Sequence, residues 1–270
     1  MTEKLKLLAV FAHPDDESMG TGGILAKYAA EGIETYLICA TRGERGWWDS
    51  EGPNPGLEEV GRIREKELEN AGKVLGLKEI HFLNYIDGDL DQANPIEAAG
   101  RIVTHLRRIK PHVVVTFAHD GGYGHPDHIA ISQFTNAAIL CAADANYVGA
   151  EKLPSHRVSK LYYFVDSEEI AEFFTKYLGA IEFPVDDQIR GEAAWKDWMI
   201  TTRVDLSSSW RKAWEAIRCH KSQLPSLGPL LELPEGEVEK LLTLQGTFYR
   251  AMSLVNGGRK RETDLFEGLR

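Results

Sequence analysis

Through its first 117 residues the chain alternates short apolar runs with segments of helical period, and nothing else in it restricts the fold so tightly. Residues 5–12 form a compact apolar run interrupted only by Lys6, the pattern of a strand buried on both faces. Gly20 to Gly23 lead into a helix over 24–31, which Gly32 stops. Residues 34–40 (ETYLICA) read as a second strand, 57–75 as a second helix ending at Gly76, and 79–83 as a third, short strand. Asn94-Pro95 has the form of a helix start, with Asn as cap and Pro at the first helical position, and this helix runs to about Arg108. Pro111 separates it from a fourth strand over 112–117. Alternation of this kind argues for a parallel sheet covered on both faces.

The pattern loosens after residue 150. A strand over 161–165, a helix over 206–219, a short helix over 238–244 and a strand over 247–255 are separated by Pro154, Pro184, Pro225, Pro229 and Pro234. The predicted fold class is therefore α/β: Rossmann-like, a mostly parallel sheet with helices on both faces and an irregular C-terminal elaboration. The whole chain, 1–270, reads as one domain, with residues 1–150 as the core and 151–270 covering one end of the sheet. The charged segment 259–270 is expected to be mobile or lightly docked.

A formal net charge of −10 opposes non-specific attraction to nucleic acid or anionic lipid. No apolar stretch approaches the about 20 residues of a membrane-spanning helix. The early apolar run is too short for a signal peptide and ends in acids, so no targeting segment is expected. Cys39, Cys141 and Cys219 are too few and too far apart for a disulfide framework or a thiolate zinc site, and suit a reducing compartment. Cytoplasmic location is the default expectation.

Ligands of open α/β sheets bind beyond the carboxyl ends of the strands, and the conspicuous polar segments of this chain all fall there. His13-Pro14-Asp15-Asp16-Glu17 follows the first strand. Helix-capping acids would account for one carboxylate, but not for a histidine and three acids in five positions. The segment from His119 to His128 follows the fourth strand and contains His125-Pro126-Asp127-His128. Neighbouring strands would then offer two histidines and a carboxylate to one point. Three protein ligands and an open position is the catalytic style of zinc site. The same set also serves non-haem Fe(II) oxygenases.

These two motifs together resemble those of the PIG-L/LmbE-like zinc de-N-acetylases. The resemblance extends to Thr41-Arg42-Gly43-Glu44, to residues 64–76 and to His220-Lys221-Ser222-Gln223, and so spans roughly residues 5–225. It implies that His13, Asp16 and His128 bind one Zn²⁺ per chain, other divalent ions being alternatives. It implies Asp15 as general base, His125 as the group that stabilises the oxyanion or donates to the leaving amine, and Asp127 as the acid that orients or tunes a histidine. Arg42, Arg64 and Tyr123 match positions that contact substrate. The second acid beside the ligands favours hydrolysis over oxygenase chemistry, because water attacks a neutral amide only if something removes its proton.

The implied activity is removal of acetyl from a small-molecule amino-sugar conjugate of the GlcNAc type, without a nucleic-acid or membrane partner. The alternative within the family is amidase action on a thiol conjugate. Specificity is expected in the loop 41–56, where Trp47-Trp48 suggest sugar stacking or a lid, and in the irregular second half. The aromatic loops are compatible with a homo-oligomer. His81, His105, His112 and His156 have no partner at ligand spacing, and Trp195 with Trp198 and Trp210 with Trp214 have the spacing of packed helical pairs.

Overall fold

In chain order the elements are β1 (Lys6–Phe11), α1 (Asp16–Ala30), β2 (Glu34–Thr41), α2 (Leu57–Leu75), β3 (Glu79–Tyr85), α3 (Pro95–Ile109), β4 (Val113–Phe117), the one-turn α4 (Gly121–Gly124), α5 (Pro126–Ala143), β5 (Lys160–Phe164), α6 (Glu168–Leu178), β6 (Glu182–Val185), β7 (Gln188–Gly191), β8 (Thr202–Arg203), α7 (Trp210–Ile217), the one-turn α8 (Gly228–Leu231), α9 (Glu235–Leu244) and β9 (Thr247–Ser253). The computed structural model describes residues 4–48, 52–149, 151–179, 182–185, 188–191, 194–258 and 260–270. Residues 49–51 of the loop 41–56 and Arg259 of the charged segment 259–270 lie outside these.

The near-continuous apolar strands β1, β2 and β4 are buried along almost their whole length and take the middle of a seven-stranded sheet, ordered β3-β2-β1-β4-β5-β9-β8. The first five strands in this order pair in parallel; β9 runs antiparallel to β5, and β8 antiparallel to β9. After β1 the chain moves through α1, β2 and α2 to the β3 edge, then returns through α3 to place β4 on the other side of β1. Right-handed crossovers put these helices on both faces: α1 and α2 pack with α7, and α3 packs with α5. Chain order therefore reverses between β1 and β4, the switch point beyond which open α/β sheets bind their ligands.

Local chemistry explains the helix ends that matter. The Asn94 side chain accepts hydrogen bonds from the Ile96 and Glu97 amides, with Pro95 at the first helical position. Gly76 closes α2 in the left-handed region, and the next amide, Leu77, donates to Gly72 O at 2.8 Å. Helix α1 departs from expectation: it begins at Asp16, so Gly20 to Gly23 lie inside it rather than before it. These glycines serve contact, not a turn. A Cβ at Gly23 would meet Leu206 at 2.7 Å, and one at Gly20 would meet Phe164 at 2.8 Å.

The second half differs from a cover over the sheet's end. Residues 160–253 supply three of the seven strands, and α7 lies on the same face as α1 and α2. A satellite apolar cluster joins α6, α7, α8 and α9. The segment 260–270 is firmly docked: Leu265 and Phe266 are fully buried in the main core. The Leu265 amide donates to Tyr28 Oη, and the buried Glu262 accepts from Lys160 Nζ at 2.7 Å and Tyr162 Oη at 2.6 Å. No helix among the described residues is long and apolar enough to cross a membrane.

Candidate functional site

The strand-to-helix turn after β1 folds back on itself. Asp16 Oδ2 accepts from the amides of Ala12 at 3.1 Å and His13 at 2.8 Å, which holds this carboxylate against the end of β1. Asp15, between them, has φ 125°, a conformation that costs an L residue about 1–3 kcal/mol and persists only where surroundings impose it. The buried Arg64 of α2 reaches across, donating from Nη2 to Pro14 O at 2.6 Å and Asp15 Oδ2 at 3.0 Å, and from Nη1 to Gly43 O at 3.0 Å. Burial pushes the Asp15 carboxyl up to about 6, with the Arg64 guanidinium pulling against it.

The turn after β4 delivers the other half. His125 caps α5, its Nδ1 accepting from the Asp127 amide at 3.2 Å. His128, in the first turn of α5, stacks on Phe117 with ring centroids 3.9 Å apart and places Nδ1 3.1 Å from Gly121 O. Asp127 is fully buried and accepts from the amides of Gly88 at 2.7 Å and Leu90 at 3.1 Å.

The two halves meet at three donors. His13 Nδ1 lies 3.2 Å from His128 Nε2, and the Asp16 carboxylate oxygens lie 3.7 Å from the former and 3.4 Å from the latter. The outer nitrogens decide the protonation. His13 Nε2 lies 3.1 Å from both Asp127 Oδ2 and Asp87 Oδ1, which only accept, and His128 Nδ1 faces a carbonyl, so both outer nitrogens carry protons. In neutral rings the inner nitrogens are then lone pairs pointing at each other beside a carboxylate. Such an arrangement calls for a cation between them. Ligands held about 2.0–2.1 Å from a tetrahedral ion lie about 3.3 Å from one another, which matches these spacings.

The electrostatics show how strongly this cluster favours positive charge: with no ion bound, the carboxylates favour a second proton on His13, which a cation at Nδ1 would displace. Burial alone would lower the His13 pKa, but its hydrogen bonds to Asp127 and Asp87 raise it well above the usual imidazole range. Burial would raise Asp16, but the imidazoles of His128 and His13 hold it well below the carboxylate range. His125 is the exception: burial and the neighbouring rings of His13 and His128 bring it down to about 4. Its ring lies 4.9 Å from that of His13 and 4.7 Å from that of His128, so a third imidazole borders the centre.

Of the residues expected to contact substrate, Tyr123 is at the centre, with its ring 5.2 Å from that of His128, and Arg64 is drawn into the Asp15 turn. Arg42 is not brought in. Its guanidinium lies over Phe82 and is held by Glu65 and Asn84. Trp48 is exposed, and Trp47 is half-buried with its indole N–H unpartnered among the described residues. Trp195 and Trp198 do not pack as a helical pair, since Trp195 is buried and Trp198 is 78% exposed. His81 and His105 do find each other, with ring centroids 4.5 Å apart.

Sequence reasoning passed over Asp87, whose carboxylate shares His13 with Asp127 and also accepts from the Arg45 amide. The available signal was the Asp87-Gly88-Asp89 turn just beyond β3. Glu44, noted without a role, is buried and accepts from the Arg42 and Asp87 amides, tying the β2 and β3 loops together.

The PIG-L family, described as GlcNAc-PI de-N-acetylase, matches residues 8–139. The mycothiol S-conjugate amidase of Streptomyces coelicolor is 30% identical over 297 residues, covering 100% of this chain and 99% of that protein. The 1D-myo-inositol 2-acetamido-2-deoxy-alpha-D-glucopyranoside deacetylase of Rhodococcus erythropolis is 34% identical over 294 residues, covering 98% and 97%. Among solved structures, the N,N'-diacetylchitobiose deacetylase of Pyrococcus horikoshii superposes with TM-score 0.60 at 24% identity, covering 87% of this chain and 73% of that one. A 4-carboxy-2-hydroxymuconate hydratase from Pseudomonas putida superposes with TM-score 0.62 at 21% identity, covering 94% and 99%. These two likenesses speak to the fold alone, and a hydratase among them means that the fold does not choose the reaction.

Proposed function

The chain belongs to the PIG-L de-N-acetylase family, and on that premise we propose that it is a zinc-dependent hydrolase removing the acetyl group from an N-acetylated amino-sugar conjugate of the GlcNAc type. The observation that carries this proposal is the convergence of His13 Nδ1, His128 Nε2 and the Asp16 carboxylate, with Asp15 in the same turn. Zinc bound through His13, Asp16 and His128, or another divalent ion of similar ligand preference, would supply an electrophile for the acetyl oxygen and a lowered pKa for water.

The remaining chemistry belongs to the protein. Asp15 takes a proton from the attacking water and returns it to the nitrogen as the C–N bond breaks, releasing acetate and the free amine. A carboxyl raised to about 6 suits both steps near neutral pH. Arg64 aims that carboxylate. His125 stays neutral, and because its Nδ1 accepts from the Asp127 amide, its Nε2–H is the donor available to the acetyl oxygen as charge builds there. Asp127 holds His13 in the tautomer that leaves Nδ1 unprotonated. Tyr123 is the aromatic wall against which substrate docks. The free cysteines Cys39, Cys141 and Cys219 suit a reducing compartment such as the cytoplasm, and the names of the amidase and deacetylase relatives support a small-molecule conjugate as substrate.

Asp15→Asn is the test. It should keep bound metal, measured by elemental analysis, and lose 10²–10⁴-fold in acetate release; a near wild-type rate would overturn the mechanism. A second reading, amidase action on a thiol conjugate, is favoured by the full-length match to the Streptomyces coelicolor amidase. It uses the same residues and differs in the acyl group released. Assaying an N-acetylglucosaminyl inositol beside an S-conjugated thiol of that amino sugar separates the two.

A further inference from the structure

The motif His220-Lys221-Ser222-Gln223 has no part in the chemistry above, although it contributes three buried side chains close to the turns that form the site. Ser222 donates from its amide at 2.8 Å and its hydroxyl at 2.7 Å to the Glu67 carboxylate on α2. Gln223 donates to Gly46 O at 2.9 Å in the loop after β2. His220 reaches furthest in. Its Nε2 lies 2.9 Å from Glu17 Oε1 and 3.2 Å from Ser18 Oγ, on the first turn of α1.

Glu17 is fully buried, and its second oxygen, Oε2, accepts from the Asp15 amide at 3.1 Å. That amide and the Pro14 carbonyl are the two ends of one planar peptide unit. The carbonyl end is held by Arg64 at 2.6 Å. The peptide entering the left-handed Asp15 is thus gripped at both ends, by a guanidinium from α2 and by a carboxylate that His220 and Ser18 immobilise. Release of either end would free the turn to relax from φ 125° and swing the Asp15 side chain away from its station. His220 Nδ1 is buried and makes no hydrogen bond among the described residues, so the ring's contacts there are all on the Glu17 side.

We propose that His220 is a positioning residue for the Asp15 general base: by fixing the Glu17 carboxylate it holds the Pro14–Asp15 peptide in its strained orientation. The proposal rests on Asp15 being the base and adds a role that reaches it from the far half of the chain. Lys221 takes no part.

The experiment compares His220→Leu, which removes the donor, with His220→Gln, whose amide NH₂ can still reach Glu17. For each, kcat and KM for acetate release, bound zinc, and the hydrogen-exchange rate of the Asp15 amide are measured. Expected for His220→Leu is a 10–100-fold fall in kcat with KM and zinc content within twofold of wild type, and faster Asp15 amide exchange. Expected for His220→Gln is recovery of most of both. Unchanged kcat and unchanged exchange in His220→Leu would overturn the proposal, as would equal loss in both variants accompanied by loss of zinc. If His220→Leu does not fold, Glu17→Gln is read by the same criteria, since one amide oxygen cannot serve Asp15, Ser18 and His220 together. The exchange rate is independent of turnover, so the two failures are distinguishable: an active Asp15→Asn enzyme would sink the base assignment and with it the catalytic half of this proposal, leaving only the peptide clamp, whereas a slow-exchanging His220→Leu amide would sink this proposal and leave the base assignment standing.

Discussion

Replacing Asp127 by Asn changes one oxygen to NH₂ in a side chain with no solvent exposure. The carboxylate now receives three protons: Oδ2 takes those of the Gly88 amide and His13 Nε2, and Oδ1 takes that of the Leu90 amide. Asn has one acceptor oxygen. With that oxygen at the Oδ2 position, the new NH₂ faces the Leu90 N–H; flipped, it faces both Gly88 and His13. At least one buried donor loses its partner, which costs about 1–3 kcal/mol. In the flipped form His13 also loses one of the two carboxylates that keep Nε2 protonated, and Asp87 must do this alone. Weakening such a carboxylate–histidine contact typically lowers metal affinity 10–100-fold. Asp127→Asn should therefore bind zinc 10–100-fold more weakly in a chelator competition, and melt lower in the metal-free form. Asp87→Asn, which disturbs only one backbone contact besides His13, should do less. Zinc affinity within twofold of wild type together with an unchanged melting temperature would refute this account of how His13 is held.

Two further tests address the scaffold. Glu262→Gln removes the charge from a buried carboxylate that pairs with Lys160 at 2.7 Å and Arg250 at 2.9 Å, and should destabilise by about 3–5 kcal/mol in chemical unfolding at neutral pH. Burial opposes ionisation of Glu262, but hydrogen bonds from Lys160, Tyr162 and Asn256 hold its folded-state pKa at about 2, below the ordinary 4.5. Its contribution is therefore present above pH 4.5 and lost as pH falls toward 2, so the gap between variant and wild type should narrow over that window; a constant gap would count against the assignment. Gly23→Ala drives a methyl to within 2.7 Å of Leu206 and should cost about 1–3 kcal/mol by thermal or chemical melting, whereas neutral or raised stability would mean that Leu206 yields freely.

How much of this was legible in the sequence depended on whether the signal was local. The limits of α2 and the Asn94 cap of α3 are written in adjacent residues, and the pairing of β1 with β4 followed from the order of the alternation. The same holds for the two histidine motifs, each of which ends a strand. Helix α6 had a local signal that went unread: Ser167 caps it, with Glu168 and Glu169 in the first turn. The start of α1 was misplaced because glycines normally punctuate, and only contact with residues far along the chain shows otherwise. The burial of Leu265 and Phe266 and the partnership of Asp87 with His13 are likewise set by residues distant in sequence, which no periodicity reports. The partners of Arg42 are set in the same way, since Phe82, Glu65 and Asn84 hold it from neighbouring elements.

The glycines of α1 carry a consequence for what the geometry of the site rests on. Gly20, Gly22 and Gly23 each weaken a helix by about 1 kcal/mol relative to alanine, so α1 has little tendency to be helical in an isolated chain. It becomes a helix when Ala213, Leu206 and Phe164 close on the faces those glycines leave bare. The turn bearing Asp15 and Asp16 is the first turn of that helix. The geometry at the ends of β1 and β4 therefore depends on residues beyond 160 that cover α1, and not on the pairing of those two strands alone.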